Sequence, residues 1–289
     1  MRSMIRLLSA RLLQAVWVAL LVGALTFLSI ILQRGANLPP DQSLMSLFLG
    51  WMGDLLTFDL GKSLVSGEFV VDKAAQGLSS SIPLALSGLI LSLLIGPPLG
   101  VIAGLRTGGF LDRALLFLST ATRAIPQFVL GIILILIFAV AMAVLPSNGN
   151  GTFAHSILPT ITLALSLAAV SAVIARDATS AITSSPQYAS ERLEGLSAFN
   201  ALKQHGLRKI GEPLVTSLGV QLVFLIEGVI VVETLFSWPG IGQGLVHAIV
   251  QRDVLMVQGT ALAIGLMFVI LKTVVDLANH SIDSRRRNS

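Results

Sequence analysis

Arg123, Glu227, Glu233 and Lys272 are the residues most able to do chemistry in this chain, because each falls in or near a long apolar run. A charge at membrane depth costs about 2.5–3.5 kcal/mol on insertion scales, so each asks for a partner or a role. Glu227 lies between Ile226 and Gly228 with apolar residues on either side. Facing an aqueous path, it would attract a cationic or amino-terminal group on a solute. Facing a neighbouring helix, it would pair with Arg123 and hold structure. Arg123 would equally meet a substrate carboxylate or snorkel to the interface. Glu233 sits near the outer end of its run, where it could cap or gate.

Other chemistry finds little support. The chain has no Cys, which removes disulfides, thiolate nucleophiles and Cys-based metal sites. Its four histidines, His155, His205, His247 and His280, form no close i, i+4 pair, and no metal cluster is expected. Gly61-Lys62-Ser63 resembles the end of a phosphate-binding loop, but Leu56 stands where that motif needs glycine. Gly240, Gly242 and Gly244 follow no predicted strand and read as a turn. No Ser–His, paired-Asp or metal-binding His–Glu spacing marks an intramembrane enzyme, so no catalytic residue is assigned.

The elements that must position these residues are helices in lipid. The apolar fraction is 54% and only 12% of the 289 residues are charged, against roughly 25% charged in a soluble domain. Mean hydropathy is +0.86 and the sequence pI about 10.0. Six runs are long enough to cross, at 12–32, 82–105, 115–145, 157–175, 214–236 and 255–278. Backbone groups in lipid must bond within their own segment, so the fold class is an all-α membrane protein. The whole chain, 1–289, reads as one transmembrane domain: an N-terminal span, an external segment at 35–81 and a five-helix core at 82–282. The first run follows Arg2, Arg6 and Arg11 without a small-residue cleavage site and reads as an uncleaved span.

The excess of basic residues reports orientation rather than nucleic-acid binding. With both termini in the cytoplasm, the inner side holds Arg2, Arg6, Arg11, Arg106, Arg113, the basic residues of 176–213, and Arg285 to Arg287. Arg34, Lys62, Lys73 and Arg252 remain outside, the asymmetry expected of a helical membrane protein with both termini inside. Gly96, Gly100 and Gly104 repeat a small-xxx-small spacing that lets a neighbouring helix approach closely. Pro97, Pro98 and Pro126 predict kinks. In 35–81 one or two short interfacial helices are expected, and after Trp238-Pro239-Gly240 a turn and a short amphipathic helix.

The segment 176–213 is polar, charged and too long for a simple connection inside the membrane. Arg176 and Asp177 are read as ending one helix. Thr183, Ser184, Ser185 and Pro186 mark a break and a new start, Tyr188 to Leu193 a short helix, and Gly195 its end. Ser197 is placed to cap a second short helix, and Pro213 to open the next span. Two short helices at a turn would make a compact knob for a soluble partner.

Several motifs point the same way: Asp59-Leu60-Gly61-Lys62-Ser63 with Gly67-Glu68, Pro97 to Gly104 with Leu111-Asp112-Arg113, and Ile157-Leu158-Pro159-Thr160. The most specific are Val232-Glu233-Thr234-Leu235-Phe236, Trp238-Pro239-Gly240-Ile241-Gly242, Arg252-Asp253 and Val257-Gln258-Gly259. On these the chain resembles, over nearly its full length, the inner-membrane permease subunits of ATP-binding-cassette importers, in the dipeptide, oligopeptide and nickel branch. The resemblance implies a type I importer permease fold. It also implies an ATPase-coupling loop in which a Gly-to-Pro spacing matches Gly195 and Pro213. Tyr188, Glu191, Arg192, Gly195, His205, Arg208 and Pro213 are carried over as coupling residues. Glu191-Arg192-Leu193-Glu194-Gly195 departs from the branch's small, basic pattern before the Gly.

The resemblance further implies partners: a second homologous permease, two cytoplasmic ATPase subunits that hold ATP and Mg, and an extracytoplasmic substrate-binding protein. This chain would itself carry no cofactor. The solute would be a peptide or a related small molecule such as an opine, nickel or a metal chelate, moved by alternating access. A secondary, ion-gradient-driven transporter is the rival reading. It would want acidic or His relays and inverted repeats of broken helices, and neither is evident here.

Overall fold

The computed structural model describes residues 2–34, 49–50, 52–53, 57 and 59–287, with side chains described for these except 2–8, 12, 26, 29–34, 204, 205, 207, 208 and 278–287. The described chain is helical, in the order α1 (Arg2–Arg34), α2 (Val70–Gly104), α3 (Phe110–Ala124), α4 (Gln127–Leu134), a π-helical turn (Ile135–Ala141), α5 (Phe153–Thr183), α6 (Pro186–Leu193), α7 (Ala198–Leu235), α8 (Ile241–Val250) and α9 (Val254–Arg287). Four stretches are long and apolar enough to cross a membrane: Val70–Gly104, Phe153–Thr183, Lys209–Leu235 and Val254–Leu277. A fifth exists if α3 and the helix that follows it, Gln127–Ala141, form one broken span. The expected first span lies within α1. Of the segment 35–81, where one or two interfacial helices are expected, residues 35–48, 51, 54–56 and 58 lie outside the described residues.

Several boundaries differ from the sequence reading. The helix expected from 82 begins at Val70, because the preceding turn already pairs Lys62 with Phe69 and leaves the chain helical from there. The run 115–145 is not one kinked helix: α3 and its successor meet at 105°. Pro126 lacks an N–H and its ring disfavours helical backbone in the residue before it; Ile125 is accordingly extended, with φ −87° and ψ 126°. Pro213, by contrast, opens nothing, since α7 runs straight through it. The second element of the knob is therefore the start of a 38-residue helix rather than a short one.

Two compact units emerge: Met1–Ile82 with Ser237–Thr273, and Pro83–Phe236 with Val274–Ser289. In the first, Leu60, Val70 and Leu262 form a core on which Ala19, Val22, Met52, Leu255 and Leu266 pack. The turn at 61–69 closes through Ser63 N–H to Glu68 O at 2.8 Å and Val70 N–H to Gly61 O at 3.1 Å. The predicted turn after Trp238 and the short helix α8 are present. The Trp238 indole donates to Ser80 O, and Ile241 N–H to Ser81 Oγ at 2.8 Å.

In the second unit α5 is the central post, packed by α3, α4, α6 and α7. The glycine face of α2 does what its spacing predicts. A Cβ on Gly104 would stand 2.6 Å from Arg176 O and 2.7 Å from Thr179 Cβ, and one on Gly96 2.7 Å from Ala168 O. Only hydrogen fits at that separation, so α2 and α5 meet backbone to backbone.

Candidate functional site

Local signals build the segment 176–213 as expected at most points. α5 overruns Arg176 and Asp177 to Thr183, a correction to the reading that they end it. Ser185 then caps α6 by accepting from Tyr188 N–H, with Pro186 at its first position. Gly195 ends the turn at φ +90°, a left-handed conformation that glycine adopts without Cβ strain. Ser197 Oγ accepts from Asn200 N–H and starts α7.

The base of this knob is anchored and its tip is open. Tyr188 packs half-buried on a cluster of Ala175, Ile182, Leu202 and Ile210, which joins α5, α6 and α7. Leu193 is 90% exposed and Phe199 62% exposed, and nothing lies within 4 Å of where a Cβ on Gly195 would be. Arg192 is exposed and donates to Leu196 O across the turn, whereas Glu191 is half-buried. Two large apolar side chains, Leu193 and Phe199, therefore stand exposed at a polar turn. The side chains of His205 and Arg208 lie outside the described residues, and Pro213 is half-buried within α7.

Just above the knob sits a contact that sequence reasoning missed. Arg176 of α5 forks onto Asp112 of α3, with Nε to Oδ1 at 2.7 Å and Nη2 to Oδ2 at 2.8 Å. Asp112 is 2% exposed and also accepts from Gly108 N–H at 2.8 Å; Arg176 Nη1 reaches Asp177 at 2.9 Å. Such bidentate geometry fixes direction as well as distance. The motif around Asp112 was visible in the sequence, but a partner 64 residues away was not.

The candidate pathway residues differ in exposure. Arg123 is exposed in the last turn of α3 and Glu227 is exposed on α7. Among the described residues no ion pair joins them, so the structural pairing considered for Glu227 is absent from the chain by itself. Glu227 instead neighbours Gly228, whose missing side chain admits the Gln127 amide of α4. Glu233 is fully buried near the end of α7. Gln221, also fully buried, donates to Ser217 Oγ at 2.9 Å while its carbonyl oxygen has no partner. Among the described residues no group of three or more acids and histidines could hold a metal.

A further polar knot lies in the first unit. Ser63 Oγ donates to the buried Asp253, and Asp253 Oδ1 accepts from Met256 N–H at the start of α9. Burial pushes the Asp253 carboxyl up, but the hydrogen bonds from Ser63 and from the backbone of Met256, Leu64 and Val65 outweigh it and hold it below the usual carboxylate range.

Against known proteins, residues 96–288 match the family described as binding-protein-dependent transport system inner membrane component. Over 248 residues, 83% of this chain and 79% of the relative, the chain is 36% identical to a probable peptide ABC transporter permease protein of Sinorhizobium fredii. Over 243 residues, 84% of this chain and 79% of the relative, it is 32% identical to the glutathione transport system permease protein of Escherichia coli.

Proposed function

This chain belongs to the family of binding-protein-dependent transport system inner membrane components, and from that premise we propose that it is one permease subunit of an ATP-driven importer for peptides or a related small solute. The wider branch, with its opines, nickel and metal chelates, sets the outer bound of the solute class. The observation that carries the coupling part of this reading is the knob of α6 and early α7, whose base is packed by Tyr188 and whose tip presents Leu193, Gly195 and Phe199.

In this reading the chain crosses six times with both termini inside, as its basic residues favour. ATP and Mg are held by two separate ATPase subunits, a second homologous permease completes the pathway, and an extracytoplasmic binding protein delivers the solute. Glu191, Arg192, Gly195, His205, Arg208 and Pro213 belong to the coupling segment with Tyr188. Arg123, Glu227 and Glu233 belong to the pathway, where exposed Glu227 would meet a cationic or amino-terminal group. ATP binding draws the knobs together and selects one of two bundle states, because a motor shifts an equilibrium only by distinguishing its ends.

Co-purification tests the assembly. The full-length chain should bring down an ATPase subunit, and Leu193→Asp should lose that ATPase while still inserting in the membrane. Retention of the ATPase by Leu193→Asp would remove the docking role of the tip.

A further inference from the structure

We propose that the Asp112–Arg176 ion pair is a strut that makes α3 follow the knob, so that breaking it uncouples ATP hydrolysis from transport. The inference rests on the permease reading above and adds to it the residues that pass motion from the knob into the bundle.

The geometry forms a continuous chain of contacts. Tyr188 of α6 packs on the cluster that Ala175 and Ile182 of α5 form with Leu202 and Ile210 of α7. Arg176 follows Ala175, about two turns before α5 ends at Thr183. Its guanidinium grips Asp112, in the first turn of α3. At the same residue, the Arg176 carbonyl is where Gly104 of α2 closes on α5. The turn joining α2 to α3 is held as well, because Gly108 N–H donates to Asp112. One arginine therefore fastens three consecutive pieces of chain to α5.

Chemistry argues for a rigid link rather than a passing contact. Asp112 Oδ1 takes Nε, and Oδ2 takes both Nη2 and the Gly108 N–H. Asp112 is buried, so releasing it would leave a desolvated charge without its partner. A link of that kind stays closed while its neighbours move. It also has a fixed direction, since a guanidinium fork accepts a carboxylate edge-on, and lysine cannot reproduce it. At the far end of α3 lies the 105° break at Pro126. A push on α3 is thus delivered to a hinge next to α4, whose Gln127 touches Gly228 beside Glu227.

The test uses the complete transporter in proteoliposomes: both permeases, the ATPases and the binding protein. Labelled dialanine and labelled glutathione serve as probes, and uptake and ATP hydrolysis are measured on the same preparation. Asp112→Asn and Arg176→Lys should lower uptake per ATP hydrolysed about tenfold while hydrolysis continues. The charge-swapped double variant, Asp112→Arg with Arg176→Asp, should recover part of that ratio. An unchanged ratio in the single variants overturns the strut. So does failure of every variant to assemble, the swap included, since the pair would then serve folding alone.

A second readout needs no solute. The natural chain has no Cys, so spin labels at Phe117→Cys on α3 and Ala181→Cys on α5 are unique within it. Their separation should be the same with and without trapped ATP when the pair is intact, and should change with ATP in the Asp112→Asn background. A separation that already changes in the parent contradicts the strut. Should the parent complex take up neither probe while its spin labels behave as stated, the solute assignment fails and the strut stands.

Discussion

Ser63 and Asp253 lie 190 residues apart in sequence and share a buried hydrogen bond of 2.5 Å. Ser63 Oγ also accepts from Ser66 N–H at 2.9 Å, so one hydroxyl closes the 61–69 turn and ties it to the start of α9. Ser63→Ala leaves a desolvated carboxylate short of a donor. The expected loss is about 1–3 kcal/mol, read as a lower unfolding temperature in detergent for Ser63→Ala than for an exposed-site control such as Ser66→Ala.

Acid should act on the same knot. The folded Asp253 carboxyl titrates below its ordinary value of about 3.9. Between the folded and unfolded values the unfolded chain binds more protons, so the stabilisation is complete above about pH 4 and disappears as pH falls through the folded value. Asp253→Asn should flatten this part of the pH–stability curve. An acid limb of identical depth in Asp253→Asn would show that other carboxylates account for it.

Packing of α2 on α5 gives a sharper mutational signature. Gly104→Ala places a methyl 2.6 Å from Arg176 O, and a backbone cannot retreat from it as a side-chain tip can. A cost of about 1–3 kcal/mol is expected, with Gly104→Leu failing to yield folded protein. Wild-type yield and stability for Gly104→Leu would mean that the two helices separate without penalty.

Gly195→Asp has the opposite character. No neighbour obstructs a side chain there, and only the left-handed φ opposes it, at about 1–2 kcal/mol or less for an Asp. The chain should insert and fold, yet uptake should vanish because a charge now stands on the docking face. Normal uptake with normal ATPase co-purification would take Gly195 off that face.

Glu227→Gln should weaken transport while stability holds, because the carboxylate is exposed on α7 and pairs with no base among the described residues. Uptake kinetics at several solute concentrations separate the effects: a raised half-saturating concentration is expected, and unchanged kinetics would remove Glu227 from the pathway.

Much of the fold could be read from local signals. The caps at Ser185 and Ser197, the stop at Gly195, the glycine face of α2 and the turn before α8 depend on neighbouring residues or a fixed helical spacing. Proline was the unreliable letter. Pro126 stands at the 105° break between α3 and the helix after it, whereas α7 continues through Pro213. The site was half legible. The stop at Gly195 follows from the punctuation of the segment, whereas the exposure of Leu193 does not, and Asp112–Arg176 and Ser63–Asp253 join residues far apart in the chain and leave no periodic trace.

Reconstituted transport measures the central claim most directly: energy reaches this bundle from ATPase subunits through the α6–α7 knob. Solute uptake into proteoliposomes should require the ATPases, ATP and the binding protein together, and stop when any one is left out. Uptake by the permeases without the ATPases, or uptake driven by a proton gradient with no ATP present, would contradict it.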